Sequence, residues 1–340
     1  MGFKRLEADD FVVSAQAQTS TAWTGNLPTL TTFFTQSSQV VGASGEYYVT
    51  VFNEDPVGSN AEAQFEIAYG NETGGGTYDY NHSAVPGVSP SKTIYGQYRT
   101  LVLEDENSSF VFGGVTGSSI YALSIERSRY KQSLFPGSLN LRLTGGGKTL
   151  NLTDNSNMVS VPEYYGTMRA YQVISGSNGV AVDASTGGTG YTAENGSYGL
   201  FLPDIGTILL NGDALDLTNT YGISLGTDQA ENSPGANPIK LFNTIKVGQS
   251  FGLNSEETIT SDFVFVRTRN SEFNYSENPS YISGSTGEVI YNYFINNPQT
   301  YITTVGMYND SNELLAVAKL SKPLNKDFTK ESLIRVKLDF

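Results

Sequence analysis

This chain has almost no residues that supply acid–base, thiol or soft-metal chemistry near neutral pH. Its 340 residues include no cysteine, a single histidine, His82, and a single tryptophan, Trp23. Histidine and cysteine are the usual proton shuttles, thiolate nucleophiles and soft metal ligands. Their scarcity predicts a protein that is not an enzyme and holds no cofactor and no metal ion. Without cysteine there is also no disulfide to stabilise the fold.

Charge and hydropathy exclude two classes of partner. The formal net charge is -14, whereas neutralising phosphates requires clustered Lys and Arg, so we expect no nucleic-acid partner. No apolar run approaches the ~20 residues that span a bilayer, so we expect no membrane partner. The first 13 residues carry charges of both signs and lack the apolar segment of a secretory signal. We therefore expect synthesis in a cytoplasm.

Period-two alternation of apolar residues is the dominant pattern and indicates half-buried strands. Two hairpins are expected: Leu139–Leu143 with Leu150–Leu152, and Tyr301–Tyr308 with Leu314–Leu320. Three glycines, residues 145–147, suit the turn of the first hairpin because they accept positive φ. Leu333–Leu338 predicts a further strand. Helical signals are sparse, with one short helix expected within residues 204–217.

The predicted fold class is therefore mainly β, with two or more β-sandwich-like modules, an extended N-terminal arm and little helix. Composition favours an arm over residues 1–40 and a first β domain over residues 41–145. A second β domain is expected over residues 146–299, with a Gly/Ser-rich ribbon at residues 175–198. Residues 300–340 predict a C-terminal hairpin and strand that pack back on the first domain, because a hairpin alone is marginally stable.

Four polar motifs have both a chemical and a structural interpretation, and we favour the structural one for each. Glu104–Glu106 could supply carboxylates for glycoside hydrolysis, but neighbours on an extended chain point to opposite faces. Asn309–Glu313 carries oxygen ligands yet lacks a calcium loop, and predicts a tight turn. The Gly-rich segment Tyr69–Gly76 has no following Lys-Ser/Thr, so it is not a phosphate loop. His82 could serve a catalytic serine, but the sequence contains no Gly-x-Ser-x-Gly elbow that would carry one.

Three surfaces are instead candidates for assembly. They are the aromatic residues along the N-terminal arm, a basic cluster expected on one strand face, and the apolar C-terminal strand. The basic cluster is either solvated or faces an acidic partner. The expected interface residues are Phe11, Trp23, Phe33, Phe34, Arg127, Arg129, Lys131, Val336, Leu338 and Phe340. We expect the first 35 or so residues to become ordered only on assembly, when their ordering cost is offset.

Several long segments together resemble a known family. They are AYGNETG (68–74), QYR (97–99), SIERSRYKQSLFPG (124–137), YGLFLPD (198–204), RTRNSEFNYS (267–276), NNPQTYITTVGMYND (296–310) and ELLAVAKLSKPL (313–324). This set is similar to the large virion structural proteins of T4-like tailed phages, especially cyanophages. The resemblance covers most of residues 40–340 in order, and departs from the family mainly at residues 77–91 and 175–198.

The resemblance implies a non-enzymatic subunit of a contractile-tail particle, in the baseplate or its fibre attachments. Its expected partners are other virion proteins and copies of itself, and its expected location is the virion. Three alternatives stay open. A neck or capsid-associated subunit keeps the structural role. A tail-fibre or adhesin module would bind a host-surface glycan through the Tyr/Asn/Gly-rich loops 69–82 and 270–293. A glycan hydrolase would need buried carboxylates with raised pKa values.

Overall fold

The structure, a computed structural model, describes residues 3–36, 48–77, 89–182, 196–230 and 236–339. It is mainly β, which confirms the predicted fold class. The chain divides into two units. We call Met1–Ala17 with Thr258–Phe340 the terminal unit, and Gln18–Glu257 the central unit.

The strands and helices are numbered in chain order. The strands are β1 (Phe11–Thr21), β2 (Thr29–Leu30), β3 (Tyr48–Phe52), β4 (Ala63–Asn71), β5 (Phe110–Phe112), β6 (Val115–Gly117), β7 (Ser119–Ile125), β8 (Ser133–Leu134), β9 (Asn140–Gly145), β10 (Lys148–Asp154), β11 (Glu163–Tyr165), β12 (Met168–Ser177), β13 (Val180–Ala181), β14 (Gly199–Leu202), β15 (Thr207–Asn211), β16 (Phe251–Gly252), β17 (Asn254–Thr268), β18 (Thr300–Tyr308), β19 (Leu314–Lys326) and β20 (Ser332–Asp339). The helices are α1 (Pro90–Leu103), α2 (Gly212–Asp216), α3 (Asn237–Gly248) and α4 (Asn292–Asn296).

The central unit is built around an antiparallel sheet with the strand order β2-β16-β9-β10-β12-β14-β15-β7-β4-β3. At one edge, β2 pairs with β16. A few residues later, Phe34 forms an antiparallel bridge with Phe52 in β3, at the other edge. Residues 29–34 therefore join both edges, and the sheet curls closed on itself.

The middle strands of this sheet are buried on both faces. Every residue of β14 and β15 is buried, which explains why both strands have nearly continuous apolar sequences. One apolar cluster, which includes Trp23, Phe65 and Phe251, also contains residues of α3. A second cluster contains residues of α1, β5 and β7. The sheet is thus covered by helices as well as by its own curvature.

Helices α1 and α3 were not expected, because the sparse helical signals predicted only one short helix within residues 204–217. The Ser89 side chain caps α1 by accepting from the Lys92 N–H at 3.3 Å, and Pro90 occupies the first turn. Ser and Pro in these positions favour a helix start, as Pro238 does in α3. The predicted short helix within residues 204–217 is confirmed by α2.

Glycine residues are required at two places in the central unit, a hairpin turn and a close helix–strand contact. Gly146 and Gly147 have φ of 54° and 75° and form the two-residue turn of the β9–β10 hairpin, as the sequence predicts. In β4, a Cβ on Gly70 would lie 2.8 Å from the Tyr95 backbone nitrogen. Helix α1 therefore packs directly on the backbone of β4, and only glycine permits this approach.

The terminal unit contains the second predicted hairpin and the predicted C-terminal strand. Strand β18 pairs with β19, and β20 pairs antiparallel with β17 from Ser261↔Asp339 to Thr268↔Ser332. Buried Val264, Ile334 and Val336 form the core of this unit, against which one face of the hairpin packs. The structure confirms both elements.

A buried lysine holds the base of the β18–β19 hairpin. Lys326 is 0% exposed, and its ammonium donates to the Asn270 carbonyl at 2.9 Å, Asn274 Oδ1 at 2.8 Å and the Asp327 carbonyl at 2.9 Å. All three acceptors are neutral. The contact links the segment 270–274 to the end of β19.

The observed division differs from the expected domains. The boundary between residues 145 and 146 would cut the β9–β10 hairpin, so residues 41–257 stay in one unit. Residues 300–340 group with the segment that starts at Thr258 rather than with residues 41–145, because β20 pairs with β17. Of the ribbon at 175–198, residues 183–195 lie outside the described residues.

Candidate functional site

Strand β1 is exposed along almost its whole length. Ten of its eleven residues have exposed side chains, with Val13 at 69% exposure. It stands at one end of a sheet with the order β1-β17-β20, and among the described residues no other strand pairs with its second edge. The strand has no charged residue, proline or glycine, so it lacks the usual features that block pairing at a sheet edge. It can accept a further strand.

The opposite end of the same sheet is protected. Strand β20 carries Arg335, Lys337 and Asp339, and the Lys337 ammonium lies 2.8 Å from an Asp339 carboxylate oxygen. The Arg335 guanidinium lies over the Phe263 ring, 5.4 Å from its centroid. Charged side chains of this kind disfavour edge-to-edge pairing. The two edges of one sheet therefore differ in their readiness to pair.

An exposed apolar surface lies on the outer face of the β18–β19 hairpin. We define this outer face by Phe3, Tyr308, Leu314, Leu315 and Val317, which are all exposed, Leu315 to 68%. The Phe3 and Tyr308 rings meet edge to face at 5.3 Å between centroids. The Val317 backbone pairs with Gly306, and the alternate residues turn inward to the core. Contiguous exposed apolar residues of this kind mark interaction surfaces.

A cluster of aromatic rings lies in the segment 281–294 of the terminal unit. Tyr291 and Tyr293 lie 5.4 Å apart at 31°, and Tyr281 contacts Tyr291 at 5.8 Å and Phe294 at 5.4 Å. Tyr293 is 62% exposed, and its pKa is raised by desolvation and by the neighbouring Tyr281 and Tyr291. The cluster offers exposed ring faces beside phenolic hydroxyls, which is a surface suited to stacking on sugars.

The aromatic residues predicted to lie on the N-terminal arm differ in their burial. Phe11 is exposed at the start of β1, whereas Trp23 and Phe33 are buried in the larger core of the central unit. Phe34 is half-buried, and its backbone bridges Phe52. Trp23 and Phe33 are therefore core residues rather than interface residues, because the large aromatic rings fill the curled sheet.

The basic cluster is not the strand face that its alternation predicted. Residues 127–129 form a single 3₁₀ turn. The Arg127 guanidinium donates to the Tyr130 carbonyl at 2.7 Å, and the Arg129 guanidinium donates to a Glu62 carboxylate oxygen at 2.8 Å. The Lys131 ammonium lies 4.0 Å from Glu257. These cations have partners within the chain, so the acidic partner that the sequence left open is not needed to explain them.

The C-terminal candidates are mostly internal. Val336 is buried in the terminal core, and Leu338 packs against it half-buried. Phe340 and His82 lie outside the described residues. The alternation of Leu333–Leu338 correctly predicted the strand, but the face that it buries is used inside the unit.

Carboxylates with raised pKa values are engaged in structure. Burial raises the pKa of Asp154, whose two oxygens accept from the Gly137 N–H at 2.9 and 3.0 Å. Burial, with a smaller contribution from Glu126, raises the pKa of Glu66. Asp105, in the acidic run, accepts from the Asn107 N–H at 2.9 Å in an exposed turn. The run is thus a solvated turn, although Glu104 ends α1 in the left-handed conformation and does not lie on an extended chain.

The Asn309–Glu313 segment is the tight turn that its sequence predicts. Asn309 Oδ1 accepts from the Ser311 N–H at 3.0 Å and the Glu313 N–H at 2.8 Å. Asn312 takes the left-handed conformation, with φ of 61°. Within the described part of the chain, no group of three or more His, Asp or Glu side chains could hold a metal ion.

A groove of about 530 Å³ opens on the central unit. Asn140, Asn151 and Asn178 are among its lining residues, and Asn178 donates its N–H to Asn140 Oδ1 at 2.6 Å. The lining contains no Asp, Glu or His. The groove can therefore hydrogen-bond an uncharged polar ligand but has no acid–base pair for hydrolysis. The Asn-Gly turn at residues 178–179 was a signal that sequence reasoning missed.

Comparison of the chain with known protein families, with curated proteins and with solved structures finds no match. Among the described residues, no helix has both the length and the apolar character needed to cross a bilayer.

Proposed function

We propose that this chain is a non-enzymatic structural subunit of a tailed-phage virion, in the contractile-tail baseplate or its fibre attachment. The observation that carries the proposal is β1, an eleven-residue edge strand with exposed side chains and an unpaired second edge among the described residues. Strand addition at such an edge supplies main-chain hydrogen bonds between subunits. The apolar outer face of the β18–β19 hairpin supports the same role.

The sequence resemblance is the reason for proposing a tailed-phage virion as the particle. Segment 124–137 lies in the central unit, whereas segments 296–310 and 313–324 lie in the terminal unit, and all three resemble virion proteins of T4-like phages. The resemblance therefore covers both units rather than one shared module. The proposed partners are other virion proteins and copies of this chain, and the proposed location is the tail end distal to the head.

Immunogold electron microscopy of purified particles tests this proposal. An antibody raised against this chain is expected to label the distal tail end. Antibody pre-absorbed with the purified chain is the control and must remove the label. Label at the neck or capsid would keep the structural role and overturn the baseplate location. The absence of label on intact and on disrupted particles would overturn the virion assignment.

A glycan-binding module is the second candidate, and the aromatic cluster of Tyr281, Tyr291, Tyr293 and Phe294 favours it. Exposed tyrosines can stack on sugar rings while their hydroxyls form hydrogen bonds. On a glycan array, the double variant Tyr291→Ala, Tyr293→Ala should lose binding. The matched control Tyr301→Ala removes an equally exposed ring from β18 of the same unit and should keep it. The absence of any binding by the unmodified chain would exclude this candidate.

A further inference from the structure

Strand β1 is an uncharged edge in a strongly acidic chain. The net charge is -14, yet no charged residue lies between Asp10 and Glu46. Two copies of such a chain repel each other wherever their acidic surfaces come within a Debye length, about 8 Å at physiological salt. An uncharged strand of eleven residues spans about 36 Å. It is therefore a place where two copies can approach with little repulsion.

We propose that β1 pairs antiparallel with β1 of a second copy, about a two-fold axis through Gln16. The inference rests on the proposed function, since it names the partner and the register for the edge that carries that function. Pairing two identical edges in this way is a closed, isologous contact. It would form about ten backbone hydrogen bonds between the copies, because alternate residues of each edge strand direct N–H and C=O outward.

The charges at the start of the strand favour the antiparallel direction. Asp9 and Asp10 directly precede β1. In a parallel, in-register pair, these carboxylates would meet their own copies, and like charges directly opposite are destabilising. In the antiparallel pair centred on Gln16, Asp10 lies opposite Ala22 instead. The repulsion is removed and the whole uncharged strand is paired.

The same register also matches the side chains on each face. Phe11 comes opposite Thr21, and Val13 comes opposite Thr19, on one face of the paired strands. Aromatic and β-branched residues in directly opposed positions stabilise antiparallel pairs. Gln16 meets its own copy on the other face, where two amides can exchange hydrogen bonds. The register is therefore consistent with the pleat over all eleven residues.

Single-cysteine variants give a direct test because the chain contains no cysteine. Directly opposed residues have Cα atoms about 4.5–5.5 Å apart, within the range that a disulfide spans. Under mild oxidation, Gln16→Cys should form a disulfide-linked dimer. Val12→Cys alone should not, since its copy lies about 27 Å away along the strand. An equimolar mixture of Val12→Cys with Ser20→Cys should cross-link. Thr303→Cys, exposed on β18, is the control for random collision.

Charge substitutions at Gln16 test the same contact without cross-linking. Gln16→Glu places two carboxylates face to face and should weaken self-association at least about tenfold in sedimentation equilibrium. Gln16→Lys should do the same. An equimolar mixture of the two variants should restore association to at least the unmodified level. A variant that merely unfolded the strand would not be rescued by its opposite charge.

The outcomes separate the pairing from the proposed function. A chain that stays monomeric at its highest soluble concentration overturns the pairing, as does Gln16→Cys that cross-links no faster than Thr303→Cys. If particles are labelled but the pairing fails, the structural role stands and a different partner covers β1. If the pairing holds but no particle is labelled, the virion assignment falls and the dimer remains.

Discussion

Replacing Lys326 by methionine should destabilise the terminal unit. The ammonium donates to three neutral oxygens, the Asn270 carbonyl, Asn274 Oδ1 and the Asp327 carbonyl, at 2.8–2.9 Å. Methionine is one atom shorter and cannot donate, so three hydrogen bonds from a charged group, worth about 1.5–3 kcal/mol each, are lost. Asn274 Oδ1 loses its donor, whereas the Asn270 carbonyl still accepts from the Asn274 side-chain amide and the Asp327 carbonyl still accepts from the Lys330 N–H. Removing a buried ammonium also relieves several kcal/mol of desolvation cost. We expect a net loss of about 2–4 kcal/mol.

Hydrogen exchange detected by mass spectrometry is the suitable assay. The one tryptophan, Trp23, lies in the central unit, so its fluorescence does not report on residues 270–326. A loss of 2–4 kcal/mol corresponds to about 30- to 1,000-fold faster exchange at sites that exchange by opening of the unit. This acceleration is expected in β18 and β19. The unfolding midpoint followed by Trp23 fluorescence should stay unchanged.

Lys322→Met is the matched control, since Lys322 is an exposed lysine on the same strand. It should leave the exchange of β18 and β19 unchanged within about 0.5 kcal/mol. If Lys326→Met exchanges as slowly as the unmodified chain, the desolvation cost of the ammonium equals the stabilisation from its hydrogen bonds, and the expected net loss is refuted. Faster exchange in both variants would show a general effect of the lost charge instead.

Three further predictions concern the central unit, and urea unfolding followed by circular dichroism tests each one. Trp23→Ala should lower the free energy of unfolding by about 3–5 kcal/mol, because the ring is buried against Phe65 and Phe251. An unchanged free energy of unfolding would instead indicate that Trp23 lies on an exposed arm. Gly70→Ala should cost about 1–3 kcal/mol through its clash with α1, whereas Gly96→Ala, which meets open space, should stabilise α1 by about 0.5–1 kcal/mol; equal effects of the two would contradict the packing. Burial raises the pKa of Tyr198 to about 12, so above pH 10 the unfolded chain loses this proton first and stability falls by about 2 kcal/mol towards pH 12; Tyr198→Phe should flatten that slope, and an unchanged slope would contradict the assignment.

The hairpins could be predicted from the sequence because the residues that determine each turn are close together in the chain. The turn at Gly146–Gly147 needs two residues with positive φ. The turn at residues 309–313 needs an asparagine whose side chain accepts a hydrogen bond from the backbone of a following residue. Both requirements are visible in a few residues. Helix α1 was missed because the chain at Glu104–Glu106, where it ends, was interpreted as extended, although Ser89-Pro90 is a helix start. The arrangement that makes this segment a helix is its packing on Gly70, which is distant in sequence.

The candidate surface was predictable only in part. Aromatic residues between 11 and 34 suggested one continuous arm, but burial separates exposed Phe11 from Trp23 and Phe33. A Ser/Thr-rich segment with sparse aromatic residues is compatible with either state, because the deciding partner, Phe251, lies more than 200 residues away. For the same reason the alternation of Arg127 and Arg129 gave the wrong geometry. Their partners, Tyr130 and Glu62, hold them in a turn.

The contrast between the two edges of one sheet gives β1 its significance. An exposed, uncharged strand is a site for uncontrolled association, and proteins usually protect such edges. This chain protects the far edge with the charges of β20 but leaves β1 without a single charge over eleven residues. One lysine in β1 would be enough to protect it, since a charge at a sheet edge disfavours pairing. The missing protection is thus a specific property of β1, and it is the property that the proposed pairing with a second copy requires.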